Sequence, residues 1–222
     1  MLNQTHLNFL QQLKQNNNRP WFNEHKAAFD KHYSEVKAFF MNTYNLLQDT
    51  DMLEPIHIHR IYRNLQFSKD KTPYKTHFSL HIGRTKPLLR GGYFLNIEPG
   101  NSFAAGGFWK PEAADLLRFR KEVNIDATPL RAVLSAKTAV RYFGALAGEE
   151  LRTVPAGFNK DSDAIDLLRK KQWLLIRRFA DPEVVQKDFG NEVVKTFHAL
   201  RPFFDYMSEV LTTDENGESL FG

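Results

Sequence analysis

The chain has 222 residues, 42% of them hydrophobic, which is enough to bury a sizeable core in one domain. It contains no cysteine, so disulfides, thiolate metal sites and cysteine nucleophiles are excluded, and a reducing compartment is favoured. The formal net charge of +4 is too small for a general DNA-coating surface. Because the start lacks a signal-peptide pattern and no apolar run approaches the ~18 residues of a membrane span, we expect a cytoplasmic protein.

Residues 5–48 carry a helical pattern. Thr5 and Asn18 are predicted N-caps, and Pro20 falls in the first turn after Asn18, where its missing N–H does no harm. Apolar residues then recur at spacings of three, four and seven as far as Leu47. The sequence therefore predicts a short first helix and a second helix about 40 Å long at 1.5 Å per residue.

From residue 56 to residue 109 the apolar period changes to two, which predicts a meander of four strands. The predicted strands are residues 60–67, 76–82, 93–97 and 102–109. In the first of them, Arg63 shares an apolar face with Leu65 and Phe67. Because an unpaired buried charge is costly, this guanidinium requires either a carboxylate or an anionic ligand.

Residues 111–212 are mostly helical in pattern, with one returning strand predicted at 172–179. Pro202 is expected to break or restart the last helix. No internal repeat or low-complexity linker divides the chain, so residues 1–222 are expected to form a single domain. We predict an α+β fold, with a mostly antiparallel sheet of about five strands flanked by N- and C-terminal helices.

Segment 60–75 holds five cationic residues and one carboxylate, a local excess of four that equals the net charge of the whole chain. Such a compact positive segment, with hydroxyl and backbone donors mixed in, favours phosphate or another small anion. The candidate ligand-binding residues are Arg60, Arg63, Ser68, Lys69, Lys71, Tyr74 and Lys75. Two interpretations of Asp70 stay open: it orients a lysine or acts as a base, or it pairs with a cation and holds a turn.

Several stretches of the chain resemble a known family. The stretches are 17–22 (NNRPWF), 63–75 (RNLQFSKDKTPYK), 106–112 (GGFWKPE), 148–158 and 167–171. They are similar to domain of unknown function 2461, an uncharacterised family of hypothetical proteins found mostly in bacteria. The resemblance runs from about Leu7 to Met207 and implies no established activity. The family pattern usually has Asp and Arg where this chain has Asn64 and Gln66, which argues against a catalytic base at position 64.

Further residues are expected beside the basic segment. Paired glycines just before the helix start at Pro111 would let a ligand approach backbone amides, although such pairs also mark bulges and tight strand ends. The neighbours predicted for the site are Trp21, Gly106, Gly107, Trp109 and Arg169.

Two other functions stay open. In the first, a strand face binds nucleic acid by stacking bases on aromatic rings beside the cations; the rings are Tyr62, Tyr74, Phe94 and Trp109. In the second, histidines that share strand faces bind a metal together with Glu98; they are His57, His59, His77 and His81. No phosphate-binding loop, dinucleotide fingerprint or nucleophile elbow is present, so no cofactor is predicted and an enzymatic role stays open.

Overall fold

A computed structural model of the chain describes residues 1–214 and 216–221. These residues form an α+β fold with one five-stranded antiparallel sheet. The strands are β1 (His57–Ile58), β2 (Phe78–Gly83), β3 (Gly92–Ile97), β4 (Ser102–Phe108) and β5 (Trp173–Phe179). The helices are α1 (Gln4–Gln15), α2 (Arg19–Glu24), α3 (Lys26–Gln48), α4 (Ala113–Ile125), α5 (Thr128–Ser135), α6 (Lys137–Phe143), α7 (Ile165–Leu168), α8 (Asp181–Val184) and α9 (Phe189–Thr212). None of the helices in this described part is long and apolar enough to cross a membrane.

The strands lie side by side in the order in which they occur in the chain, and each neighbouring pair is antiparallel. In the centre of the sheet, Leu80 pairs with Leu95, which pairs with Ala104. After four intervening helices β5 returns to the free edge of β4, where Trp173 lies opposite Phe108. The predicted fold class, an α+β protein with a five-stranded antiparallel sheet and helices at both chain ends, is confirmed.

Helices α3 and α9 pack against one face of this sheet. Strand residues Leu80 and Leu95 point towards that face and are fully buried. The Tyr93 ring lies between two α9 rings, with centroid distances of 5.0 Å to Phe197 and 5.1 Å to Phe204. Because side chains alternate along a strand, every second residue is directed to the opposite face of the sheet.

The predicted break at Pro202 is wrong, since α9 runs unbroken from Phe189 to Thr212. Leu200, Phe203 and Phe204, which flank the proline, are almost fully buried. Burying a large apolar side chain is worth about 1.5–3 kcal/mol. This packing offsets the backbone hydrogen bond that proline cannot donate.

The predicted single helix about 40 Å long is also wrong. Helix α2 ends at Glu24 and α3 begins at Lys26, with His25 (φ −97°, ψ 14°) between them. The His25 ring stacks on Trp21 with centroids 4.0 Å apart, and His25 Nδ1 lies 2.8 Å from the Trp21 carbonyl oxygen. The His25 amide donates to the same oxygen at 3.0 Å, so the change in backbone angles at His25, rather than the loss of that hydrogen bond, separates the two helices.

The first strand was predicted in the wrong place. Residues 60–67 form no strand but an irregular segment with a turn at 66–67, and β1 consists of His57 and Ile58. Backbone pairing continues only as a bridge between Tyr62 and Tyr74. Phe67, predicted to face inward, is 91% exposed. Local side-chain bonds account for the difference, because the Asn64 carboxamide oxygen accepts from the Gln66 amide at 3.1 Å and closes a turn.

A buried polar network joins the loop after α3 to the sheet and to α9. The Arg84 Nε lies 3.0 Å from Asp51 Oδ2, and their side chains are 2% and 1% exposed. The Tyr93 hydroxyl donates to the same carboxylate at 2.5 Å, and Arg84 Nη2 donates to Asp205 Oδ1 at 2.7 Å. Burial, followed by the bond to Asp51, raises the pKa of Tyr93. The Asp51 carboxylate therefore balances a guanidinium that has no access to water.

Replacing Asp51 tests this balance. Asp51→Ala removes the buried carboxylate and leaves Arg84 only the largely exposed Asp205 as an ion-pair partner, so we expect the free energy of unfolding to fall by up to about 3–5 kcal/mol. Urea denaturation followed by circular dichroism measures the loss. The control is Asp49→Ala, because Asp49 lies two residues away at the end of α3 and is exposed. A loss for Asp51→Ala no larger than that of the control would contradict the role given to the network.

Gly107 in β4 occupies a position that no other residue fits. Its φ is +138°, and a Cβ there would lie 1.9 Å from the Trp173 carbonyl oxygen of β5. A Cβ on the adjacent Gly106 would meet the Leu200 and Phe204 side chains of α9 at 2.4 Å and 2.6 Å. The paired glycines therefore allow β4 to approach both its neighbouring strand and the helix layer.

We expect Gly107→Ala to destabilise the protein by at least about 2–3 kcal/mol, because the new methyl group collides with backbone rather than with a flexible side chain. Gly100→Ala is the matched control, since Gly100 has φ +72° and nothing within 4 Å of an added Cβ. That variant carries only the backbone strain, about 1 kcal/mol. Equal midpoints of thermal unfolding for the two variants would count against the close approach of β4 and β5.

Candidate functional site

Much of the basic segment closes on itself. Arg63 Nη1 donates to the Asp70 carboxylate and to the Thr72 hydroxyl, and Arg63 Nη2 donates to Ser68 Oγ at 3.2 Å. Ser68 Oγ in turn donates to the Asp70 carbonyl oxygen at 2.8 Å. Lys71 Nζ donates to a backbone carbonyl of the same turn, that of Leu65, at 3.1 Å. Asp70 thus supplies the carboxylate that Arg63 requires, and the pair holds the turn.

Asp70 is poorly suited to act as a base. Its Oδ1 accepts from the Thr72 amide and hydroxyl, both at 2.9 Å. The Thr72 amide, followed by Arg63 and the Thr72 hydroxyl, lowers the pKa of Asp70 to about 2. A general base works best when its pKa lies near the operating pH. The carboxylate is therefore ionised but too weakly basic to accept a proton readily near neutral pH.

The remaining predicted ligand residues do not all converge. Arg60 and Lys69 are exposed. Tyr74 is 4% exposed and its ring stacks on Phe22, with centroids 3.9 Å apart. Its burial against Phe22 removes Tyr74 from the aromatic residues proposed to stack bases.

Three cations do meet around one cavity of about 460 Å³, which we call the basic pocket. Its lining residues are Lys14, Asn17, Arg63, Asp70, Thr72, Tyr74, Lys75, Thr76 and His77. Lys75 is half-buried, and within residues 1–214 and 216–221 its ammonium group forms no ion pair. Burial, followed by the charge of Arg60, lowers the pKa of Lys75. The pocket thus has an excess of positive charge that the turn around Arg63 does not neutralise.

Lys14 was not predicted to belong to this site. It lies at the end of α1, and the link to the basic segment is Asn17. The Asn17 side chain donates to the Tyr74 carbonyl oxygen at 2.9 Å and accepts from the Tyr74 amide at 3.1 Å. The Asn17 side chain thus bonds both the amide and the carbonyl of Tyr74 and joins the N-terminal helices to the basic segment. No local sequence pattern predicts this contact.

The second cavity, of about 510 Å³, lies on the sheet face opposite α3 and α9, and we call it the open-face cleft. Its lining residues are His77, His81, Gly92, Phe94, Asn96, Glu98, Asn101, Phe103, Ala105, Gly106, Gly107, Trp109 and Leu174. The rings of Phe94 and Phe103 lie diagonally across β3 and β4, with centroids 5.8 Å apart. Trp109 is 59% exposed at the end of the cleft. The alternation along β3, which puts Phe94 and Asn96 on the outer face and is continued by Glu98 after the strand, was the sequence signal for this surface.

The polar groups of the cleft are arranged around one carboxylate. Glu98 accepts from the Thr76 hydroxyl at 3.1 Å and from the Asn101 side chain at 2.9 Å. Burial lowers the pKa of both His77 and His81, so their imidazoles are neutral near pH 7. Neither ring has a hydrogen-bond partner within the described residues, which leaves their nitrogens available to a ligand. His77 also lines the basic pocket, so the two cavities share a wall.

The neighbours predicted for the basic segment are divided between different places. Gly106, Gly107 and Trp109 line the open-face cleft rather than the basic pocket. Trp21 stacks on His25 between α2 and α3. Arg169 donates from Nε to the Leu151 carbonyl oxygen at 2.7 Å, in a loop that lines neither cavity.

The four histidines of the metal alternative do share the open sheet face, since His57 pairs with His81 and the His59 amide bonds the Ser79 carbonyl. They do not converge as ligands. Among the described residues, three potential ligand atoms lie within 4.8 Å of one another only in a different cluster, formed by His6, His32 and Glu35. The sequence-based metal site on this face therefore lacks the required geometry.

A family model described as Conserved hypothetical protein (DUF2461) matches residues 5–206 of the 222. The chain belongs to this family. The resemblance predicted from the motifs is confirmed, and both cavities of this DUF2461 protein are lined entirely by residues inside the matched range. No curated protein and no solved structure matches the chain. Because the family is uncharacterised, its membership assigns no activity to either cavity.

His59 gives a testable pH dependence. Burial, followed by Lys75 and the neighbouring histidines, lowers the pKa of His59 to about 4 from an ordinary value of 6.5. Between these pH values the unfolded chain takes up a proton that the folded chain does not, so stability falls as pH drops through this window and falls no further below it. We expect His59→Gln to remove roughly 1–2 kcal/mol of that loss, after allowing for partial exposure.

Urea denaturation of wild type and His59→Gln at pH 7, 5.5 and 4 measures this difference. Leu88→Gln is the control, because Leu88 is 57% exposed and its side chain has no ionisable group. The control is expected to follow wild type. Parallel curves for His59→Gln and wild type would show that His59 takes up its proton equally in both states.

Proposed function

We propose that this protein binds a small organic anion, with a phosphate or carboxylate in the basic pocket and a flat or apolar part in the open-face cleft. Lys75 carries the proposal. Its half-buried ammonium group has no counter-charge within the described residues. Partial burial of an unpaired cation is unfavourable, and an anionic ligand would supply the missing charge.

The charge balance of the pocket supports an anion over a neutral ligand. Arg63 and Asp70 neutralise each other within the turn. Lys14 and Lys75 line the same cavity, and neither forms an ion pair with any described residue. Arg63 also lines the pocket, but its Nη1 and Nη2 groups already donate to Asp70, Thr72 and Ser68, so the excess charge comes from the two lysines.

The adjoining cleft supports an organic rather than an inorganic anion. Its volume of about 510 Å³ falls within the ordinary range for small-molecule sites. Phe94, Phe103 and Trp109 offer ring faces to a flat group. Because the imidazoles of His77 and His81 are neutral near pH 7, they are suited to donate or accept a hydrogen bond with the ligand.

A single-stranded nucleic acid presents the same two groups, a phosphate and a flat base, and is the second candidate. The exposed ring of Trp109 and the neighbouring Phe94 and Phe103 are the observation in its favour. The burial of Tyr74 and the position of the half-buried, unpaired Lys75 inside one pocket favour the small ligand.

The test uses phenyl phosphate as a probe, with phenol and inorganic phosphate as its separate parts. A ligand that prefers the folded state raises the melting temperature, and we expect phenyl phosphate to do so more than either part at equal concentration. Lys75→Met is expected to weaken phenyl phosphate binding at least tenfold, because a charge-assisted hydrogen bond contributes about 1.5–3 kcal/mol. Isothermal titration calorimetry measures the affinity.

Lys69→Met is the matched control, since Lys69 lies in the same segment, carries the same charge and lines neither cavity. It is expected to bind phenyl phosphate like wild type. If Lys69→Met and Lys75→Met weaken phenyl phosphate binding equally, the loss reflects general charge attraction rather than a contact in the basic pocket. Salt-sensitive binding of a single-stranded oligonucleotide, without binding of phenyl phosphate, would favour the second candidate instead.

A further inference from the structure

We propose that His6, His32 and Glu35 form a binding site for a divalent transition-metal ion such as Zn²⁺. One ligand comes from α1 and two come from α3, where a spacing of three residues places His32 and Glu35 on the same side of the helix. Their candidate ligand atoms all lie within 4.8 Å of one another. Two imidazoles with one carboxylate are a donor set that zinc and its neighbours favour.

Each of the two histidines has a buried ring nitrogen without a hydrogen bond. His6 Nε2 and His32 Nδ1 have almost no contact with solvent and no hydrogen-bond partner. A Glu35 carboxylate oxygen lies only 3.0 Å from His6 Nε2, yet the contact is off the direction of a hydrogen bond. Buried polar atoms are rarely left unsatisfied, and an ion between the three side chains would occupy both nitrogen lone pairs.

The surroundings of His6 hold its ring in place. The side chain is 0% exposed, and its Nδ1 lies 3.0 Å from Asn3 Oδ1 and 3.3 Å from the Asn3 carbonyl oxygen. If Nδ1 carries the proton and donates it to Asn3, the Nε2 lone pair is directed at the site. A hydrogen bond of this kind from the other ring nitrogen usually accompanies a metal-binding histidine. In the other tautomer the Asn3 amide donates to Nδ1 at 3.1 Å and Nε2 carries the proton.

The site has to contract slightly around an ion. Bonds of about 2.0–2.1 Å place the ligand atoms of a tetrahedral zinc ion about 3.4 Å apart. His32 is partly exposed and the Glu35 side chain is 40% exposed, so both can rotate towards the fixed His6. Burial lowers the pKa of His6 and of His32, which keeps both imidazoles in the neutral, metal-binding form near pH 7. Three protein ligands leave one position for water or another molecule.

The experiment uses the full chain, purified without a polyhistidine tag and treated with a chelator. We expect the chain to take up about one Zn²⁺, measured by elemental analysis after desalting, and the melting temperature to rise with ZnCl₂ but not with MgCl₂. His32→Gln and Glu35→Gln are each expected to weaken the zinc response at least tenfold. Both replace a ligand by a side chain of similar size and leave the buried His6 in place.

His57→Gln is the control, because it removes an exposed histidine from the other histidine-rich surface. We expect it to respond to zinc as wild type does. Absence of bound zinc and of any shift in wild type would assign the three residues to a structural contact and overturn the proposal. So would equal responses of wild type, His32→Gln and Glu35→Gln, or loss of the response only in His57→Gln. If His32→Gln fails to fold by circular dichroism, Glu35→Gln decides the question.

Discussion

The structure depends on the packing of one face of the sheet against helices α3 and α9. Helices α3 and α9 cover the face carrying Leu80 and Leu95, and the close approach of β4 to β5 and to α9 depends on Gly106 and Gly107. Because side chains alternate along each strand, burying one set of residues necessarily directs the other set outwards. The aromatic rings, imidazoles and the Glu98 carboxylate of the open-face cleft belong to this second set. Position in the sheet, rather than a compact motif, makes them neighbours.

Electrostatics separate the basic segment into two parts with different roles. Arg63 and Asp70 pair within the turn, so their charges cancel locally and serve the shape of the loop. Lys75 is not part of that pair. It is half-buried near His77, and no carboxylate among the described residues forms an ion pair with it. A cation already paired within the fold contributes little binding free energy to a ligand, whereas an unpaired, partly buried cation is stabilised when an anion binds. The proposed anion site therefore rests on Lys75 and Lys14 rather than on the whole segment.

The α+β class and the antiparallel pairing of the strands were predictable, because burial of one sheet face imposes a period of two that is visible in β2 and β3. The predicted strand at 60–67 failed because the Gln66 amide donates to the Asn64 side chain and closes a turn there, and the Thr72 amide donates to Asp70 just beyond. The predicted break at Pro202 failed for the opposite reason. Burial of the adjacent Phe203 and Phe204 in the core outweighs the local tendency of proline to end a helix. The hydrophobic periodicity of a sequence indicates which side chains are buried. It does not show whether local or long-range interactions prevail at a given position.

For the site, the sequence by itself determined which chemistry is present: a positive excess in segment 60–75, an aromatic and histidine-rich strand face, no thiols, and the motifs of an uncharacterised family. Only the tertiary structure decided which of these groups meet. Lys14 joins Lys75 through the pairing of Asn17 with Tyr74, and His6 meets His32 and Glu35 through the packing of α1 on α3. These contacts join residues far apart in the chain, and their energy comes from packing and buried polar bonds that form only when the chain is folded.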